Sequence, residues 1–181
     1  AQIKHLGAEL FSLKSDHNKE YIWEGNPALW GKHSPILFPI VGTLKNNSYS
    51  INNEKYQLNR HGFAREMEFE LIEKTDDSAT FSLVSTIETK KVYPFDFELQ
   101  ISYSLDGSKL NIDYKVINMG DLIMPFAIGA HPAFALIGNF EEYSLEFQQD
   151  EVLKYHLLEE GLISNQTNEL QLDKKQLGLN Y

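Results

Sequence analysis

The stretch FDFELQISYSLDGSKLNIDYKV, residues 95–116, decides the fold class. Phe95, Phe97, Leu99, Ile101, Tyr103 and Leu105 alternate with Asp96, Glu98, Gln100, Ser102 and Ser104. A period of two is that of a strand with one dry face, not of a helix. Asp106-Gly107 is a strong hairpin turn, and Leu110, Ile112, Tyr114 and Val116 then resume the alternation against Asn111, Asp113 and Lys115. Two long strands joined by a tight turn are therefore predicted.

The same period recurs on both sides. Shorter strands are predicted over 3–14, 49–51, 67–71, 80–87, 123–128 and 143–149. Turns are expected at Asn46-Asn47, Asn52-Asn53, Asp76-Asp77 and Met119-Gly120-Asp121. Residues 154–162 and 170–177 offer at most a turn or two of helix, and no segment carries a persuasive helical stripe. Many antiparallel strands with polar turns argue for an all-β chain, a sandwich or barrel. The segment 24–45 differs, because Pro27, Pro35 and Pro39 interrupt bulky apolar residues, and it reads as a long ordered excursion.

The chain has 181 residues, suited to one domain, with 26 acidic against 16 basic residues and a formal charge of −10. That balance disfavours nucleic acid and anionic membrane surfaces as partners, since both are bound through clustered Lys and Arg. There is no Cys, so thiolate and disulfide chemistry are excluded. No apolar run approaches the roughly 20 residues of a membrane span. With no signal-type opening segment, a cytoplasmic protein is expected.

Candidate chemistry centres on two histidines. His5, His17, His33 and His156 lie in polar surroundings and are expected at the surface. His131 sits in MPFAIGAHPAFAL (124–136), where Pro132 favours an extended conformation and an abrupt strand end. His61 stands in RHGFAR (60–65), with Gly62 behind it permitting a close backbone approach. Two readings stay open for each: a histidine that merely satisfies a loop carbonyl, or a member of a site. Neither has metal-ligand spacing, and no metal or cofactor is expected. Two histidines at strand ends of one antiparallel fold can converge, and imidazoles suit proton transfer near neutral pH. Arg65 could fix hydroxyls, and the aromatics Trp23, Trp30, Phe38, Phe126 and Phe134 lie close to these segments, where ordinary core packing is the alternative use.

HGFAR (61–65), AHPAF (130–134), YIWEGNPALW (21–30) and PILFPIVGTLKN (35–46) together resemble the aldose 1-epimerases of the galactose mutarotase superfamily. Their order is most similar to the bacterial branch related to the lactose-operon X product. YPFDFEL (93–99) and LNIDYKVIN (110–118) fit the same pattern, and the match covers nearly the whole chain.

The resemblance implies a large antiparallel β-sandwich with an open sugar site, and interconversion of the α and β anomers of a free hexose. It implies that His131 is the general acid and that His61 faces the ring oxygen, and Arg65, Phe134 and Trp30 are expected as the sugar contacts beside them. A monomer or homodimer with a small-molecule sugar as its partner is expected. The alternatives are a hexose-phosphate mutarotase and a non-catalytic carbohydrate-binding or sensing module.

Two departures stand out. Thr43 follows Val41-Gly42 where members usually carry an arginine, a role Arg65 or Lys45 could take. The family's basic glutamate, in a Glu-Pro-Trp motif, has no counterpart here, and Glu159, Glu160 and Glu169 lie in no matching context. The 181 residues are thus expected to be about the N-terminal two-thirds of one family domain, inactive and poorly soluble if the polypeptide ended at Tyr181.

Overall fold

The structure, a computed structural model, describes residues 1–179. The chain falls into two compact units, Ala1–Phe134 and Ala135–Tyr181. The first contains β1 (Gln2–Ile3), β2 (Leu10–Ser12), β3 (Ile36–Leu37), β4 (Ser48–Ile51), β5 (Glu54–Gln57), β6 (Glu70–Lys74), β7 (Ser78–Val84), β8 (Phe97–Asp106), β9 (Lys109–Asn118) and β10 (Gly129–Ala130). A short α-helix, α1 (Ile87–Lys90), is held by a Thr86 capping box. No helix among the described residues is long and apolar enough to cross a membrane.

The 95–116 stretch forms the hairpin its alternation predicts. β8 pairs with β9 from Phe97↔Asn118 to Asp106↔Lys109, around Gly107 at φ +58°. These two strands and β6 and β7 make one antiparallel sheet in the order β6-β7-β8-β9. Phe97, Leu99, Ile101 and Tyr103 are buried, while the alternate Glu98, Gln100, Ser102 and Ser104 are half-buried and carry polar pairs across the strands. Ser82 donates to Glu98 at 2.7 Å, and the Thr80 and Ser102 hydroxyls meet at 3.0 Å.

The buried face packs on Phe38, which is fully enclosed. Its ring lies 5.2 Å from Phe97, 6.0 Å from Phe126, 6.1 Å from Tyr93 and 6.4 Å from Phe63. Burying one such side chain is worth about 1.5–3 kcal/mol, and favourable ring pairs add about 0.5–1.5 kcal/mol each. The polar ends of core tyrosines are satisfied by backbone. Tyr103 donates to the Ala8 carbonyl at 2.7 Å and Tyr93 to that of Pro125 at 2.9 Å. Burial pushes both phenols up, so they remain donors.

The second unit contains β11 (Ser144–Glu146), β12 (Val152–Glu159), β13 (Leu162–Gln171) and β14 (Gln176–Gly178). β12 and β13 form a hairpin about Glu160-Gly161, both at positive φ, and β11 pairs with β14.

Several local expectations are corrected. The 154–162 and 170–177 segments are strand and turn, not helix. A register shift between His156 and Leu158 breaks the alternation of β12, which hid its period in the sequence. The predicted strand 3–14 is two strands, β1 and β2, folded back on each other where Gly7 and Ala8 take positive φ. Residues 123–128 form no strand, and the ladder comes only at β10. In 67–71 the alternation of burial holds, yet the paired strand β6 begins at Glu70. The tail of the 80–87 prediction turns into α1.

One carboxylate ties β2 to the segment after it. Glu20 Oε1 accepts the N–H groups of Leu13 (2.8 Å), Ile22 (2.9 Å) and Tyr21 (3.0 Å), and Oε2 accepts the Ser12 hydroxyl at 2.6 Å. Burial would raise this carboxyl, but the four donors overrule it and bring it down to about 2. A depressed folded-state value contributes stability above the ordinary 4.5, lost as pH falls through about 2. Urea denaturation between pH 5 and pH 2.5, on the order of that window, is expected to show wild-type stability falling steeply. Glu20→Gln should flatten this dependence.

Candidate active site

The HGFAR segment is placed by contact with Phe38. Gly62 bridges Phe38, whose carbonyl accepts the N–H groups of Phe63 (3.0 Å) and Ala64 (3.2 Å). A Cβ on Gly62 would stand 2.1 Å from the Phe38 oxygen, and its φ is +69°. Only glycine fits there. His61 itself takes φ +69°, an uncommon state for a residue with a side chain. It is held by two bonds to Gly42: the His61 N–H donates to the Gly42 carbonyl at 2.8 Å, and the Gly42 N–H donates to His61 Nδ1 at 3.0 Å.

That pairing fixes the ring. With Nδ1 accepting, the proton of the neutral imidazole sits on Nε2. Arg60 Nε also points its N–H at the same Nε2 at 3.1 Å, and a neutral ring can accept at only one of its two nitrogens. The Gly42 contact is reinforced by its reciprocal backbone bond, whereas the Arg60 side chain is exposed, so the Gly42 bond sets the tautomer. Burial lowers the His61 pKa, and the charges of Arg60, Arg65 and His131 lower it further, so the neutral ring is favoured.

His131 arrives on a different strip. β10 pairs with β3 through Gly129↔Leu37 and Ala130↔Ile36. Beyond it the His131 N–H donates to the Pro35 carbonyl at 3.1 Å and the Ala133 N–H to the His33 carbonyl at 2.8 Å. On the other side the Trp23 N–H donates to the Ala133 carbonyl at 2.9 Å, and Ile22 bridges Phe134. His131 itself is exposed.

The excursion 24–45 delivers the third member. Trp23 Nε1 donates to the Trp30 carbonyl at 2.9 Å and closes the loop. The Trp30 ring then lies 5.1 Å from the His131 ring, tilted by 42°. The two histidine rings are 6.3 Å apart, nearly edge to face. His61, His131 and Trp30, separated by up to 101 positions from Trp30 to His131, thus form one open cluster.

The other sequence-predicted residues stand as follows. Phe134 is 62% exposed on the His131 strip. Arg65 turns its Nη2 to the Arg60 carbonyl at 3.0 Å, with Nε 3.6 Å from Glu66 Oε1, and its charge still acts on His61. Thr43 is half-buried beside the Gly42 anchor, and Lys45 is exposed. His33, expected at the surface, has a side chain only 13% exposed, because it lies between Glu9, Lys4 and Phe11. Arg60, which flanks His61 in RHGFAR, is confirmed as its neighbour, whereas the contacts of Gly42 and Glu9 were not foreseen. For Gly42 and Glu9, separation along the chain left no signal.

The aldose 1-epimerase family model matches residues 1–177. The chain belongs to that family. Within it, the chain falls in the LacX-like branch: the plasmid-borne Protein LacX of Lactococcus lactis subsp. lactis is 38% identical over 161 residues, covering 83% of this chain and 54% of the relative. The chromosomal Protein LacX is 39% identical over 160 residues with the same coverage. This chain therefore spans about half the length of the curated relatives it matches.

A galactose mutarotase related enzyme from Lactobacillus acidophilus superposes with a TM-score of 0.92 at 36% identity, over 98% of this chain and 61% of its own. A galactose mutarotase-like protein from Lactobacillus casei does so with a TM-score of 0.92 at 31% identity, over 98% and 63%. The fold is the galactose mutarotase-like β-sandwich.

Two measurements check the anchoring. Gly62→Ala is expected to cost roughly 2–4 kcal/mol in denaturant unfolding, from overlap with Phe38 and positive φ together. In an NMR titration, the His61 ring should protonate below the ordinary value of about 6.5. Arg60→Ala should move that midpoint upward.

Proposed function

We propose that the protein is a mutarotase that interconverts the α and β anomers of a free aldose hexose at the His61–His131–Trp30 cluster. The observation that carries this is the 6.3 Å approach of two histidine rings held on separate backbone strips, in a chain of the aldose 1-epimerase family. In this reading His61 Nε2–H, oriented by Gly42, donates to the sugar ring oxygen. His131 in its imidazolium form gives its proton to that oxygen as the C1–O5 bond breaks. The anomeric hydroxyl proton leaves to a carboxylate, and C1 becomes an aldehyde carbonyl. Rotation about C1–C2 and closure on the other face return both protons. Trp30 offers an aromatic face to sugar C–H groups, and Phe134 a second apolar surface.

No carboxylate of this chain is assigned as the base. The 181 residues contain no Glu-Pro-Trp. A second reading, mutarotation of a hexose phosphate, is favoured by the guanidinium charges of Arg60 and Arg65 acting at His61.

Polarimetry on freshly dissolved α-galactose and α-glucose, with the protein at its full natural length, tests the proposal. Accelerated loss of rotation is expected. His131→Ala or His61→Ala should slow it by about 100- to 10,000-fold, the usual worth of a general acid. Faster turnover of the hexose 6-phosphate than of the free sugar would select the second reading. Saturable binding without acceleration would reduce the cluster to a sugar-binding site.

A further inference from the structure

The backbone strip that carries His131 lies between two other strips, and each of those is gripped by a carboxylate. On one side the His33 and Pro35 carbonyls receive the Ala133 and His131 N–H groups. The N–H groups of His33 and Ser34 in turn donate to Glu9 Oε1 at 2.7 and 3.0 Å. Glu9 is only 8% exposed, and its other oxygen meets Lys4 Nζ at 3.3 Å. Lys4 Nζ also lies 3.1 Å from His33 Nδ1. Gly25 approaches the Cε1 and Nε2 atoms of the His33 ring so closely that a Cβ there would stand 2.6 Å away. On the other side, Tyr21 and Ile22 donate their N–H groups to Glu20, Ile22 itself bridges Phe134, and the next residue, Trp23, donates its N–H to the Ala133 carbonyl.

A buried carboxylate is costly unless it is paired and hydrogen-bonded. Burial would raise the Glu9 carboxyl, but the His33 and Ser34 N–H groups and Lys4 outweigh it and hold it below its usual range. Charge-assisted bonds of this kind are shorter and stronger than neutral ones. The buried Glu9 grip exceeds what loop satisfaction alone requires, because backbone or hydroxyl acceptors would satisfy the same donors without desolvating a charge, and the half-buried Glu20 collects four donors on the other neighbour of the same strip.

We propose that Glu9 and Glu20 are positioning residues that set the His131 ring against Trp30 and His61, acting through the 33–35 and 21–23 backbone strips. The kinetic side of this proposal rests on the mutarotase reading, and the geometric side does not. His61 is anchored separately, on Gly42 and Phe38, so it serves as an internal reference.

The test compares Glu9→Ala, Glu9→Gln, Glu20→Ala and Glu20→Gln in the full-length protein. Each Ala variant is expected to lose about 10- to 100-fold in kcat with KM little changed, the scale expected for a misplaced catalytic group. Each Gln variant should recover most of that loss, since its amide oxygen accepts the same N–H groups. In NMR spectra the Ala variants should lose the His131–Trp30 ring contacts while the amide signals of His61 and Gly42, which share their own pair of hydrogen bonds, stay as in wild type. Ala variants that keep kcat and the ring contacts, with only a lower Tm, would overturn the proposal. Should an Ala variant fail to fold, Lys4→Ala and the Gln variants carry the test. Weakened His131–Trp30 ring contacts in Lys4→Ala support it, and contacts unchanged in all three overturn it. If wild type gives no acceleration, the mutarotase reading fails, and the ring contacts alone decide on positioning.

Discussion

The approach of Gly62 to the Phe38 carbonyl is the constraint on which the rest depends. One carbonyl receives two successive N–H groups and admits no side chain opposite it. The same residue's ring sits at the centre of the aromatic core. Core packing and site geometry therefore share an atom group. A shift in how Phe38 packs on β8 would move the loop that carries His61. Because the core is close-packed, such shifts are resisted over the whole sheet rather than at one contact.

Around that junction the two histidines are given different surroundings. His61 is partly buried, ringed by positive charge and held by a backbone N–H on Nδ1, all of which favour a neutral ring with its proton on Nε2. His131 is exposed at the end of a two-residue strand. Two groups of one chemical type in unlike settings are what divided proton roles require. The two carboxylates on either side of the His131 strip extend the same logic outward, converting charge into fixed backbone geometry.

The architecture was legible where the sequence period was clean. The alternation in 95–116 predicts both the hairpin and its buried face, because a half-buried strand can satisfy its pattern in only one register. It was obscure where a bulge broke the period in β12, or where positive φ at Gly7 and Ala8 folded one apparent strand into two. For the site, His61, His131 and Trp30 were legible as residue types in special contexts, and the family resemblance joined them. The orientation of Arg65 toward Arg60, the burial of His33 and the grip of Glu9 were not. These depend on partners 5 to 29 positions away whose pairing no local pattern encodes.

The central claim is that His61 and His131 act together on a sugar ring oxygen. Two-dimensional exchange NMR on the anomeric protons of an equilibrated hexose measures this directly, without perturbing the equilibrium. The account predicts strong α–β exchange peaks with the full-length protein, and their loss on changing His131 to Ala. Exchange no faster than in buffer with the full-length protein, or undiminished exchange in the variant, would contradict it.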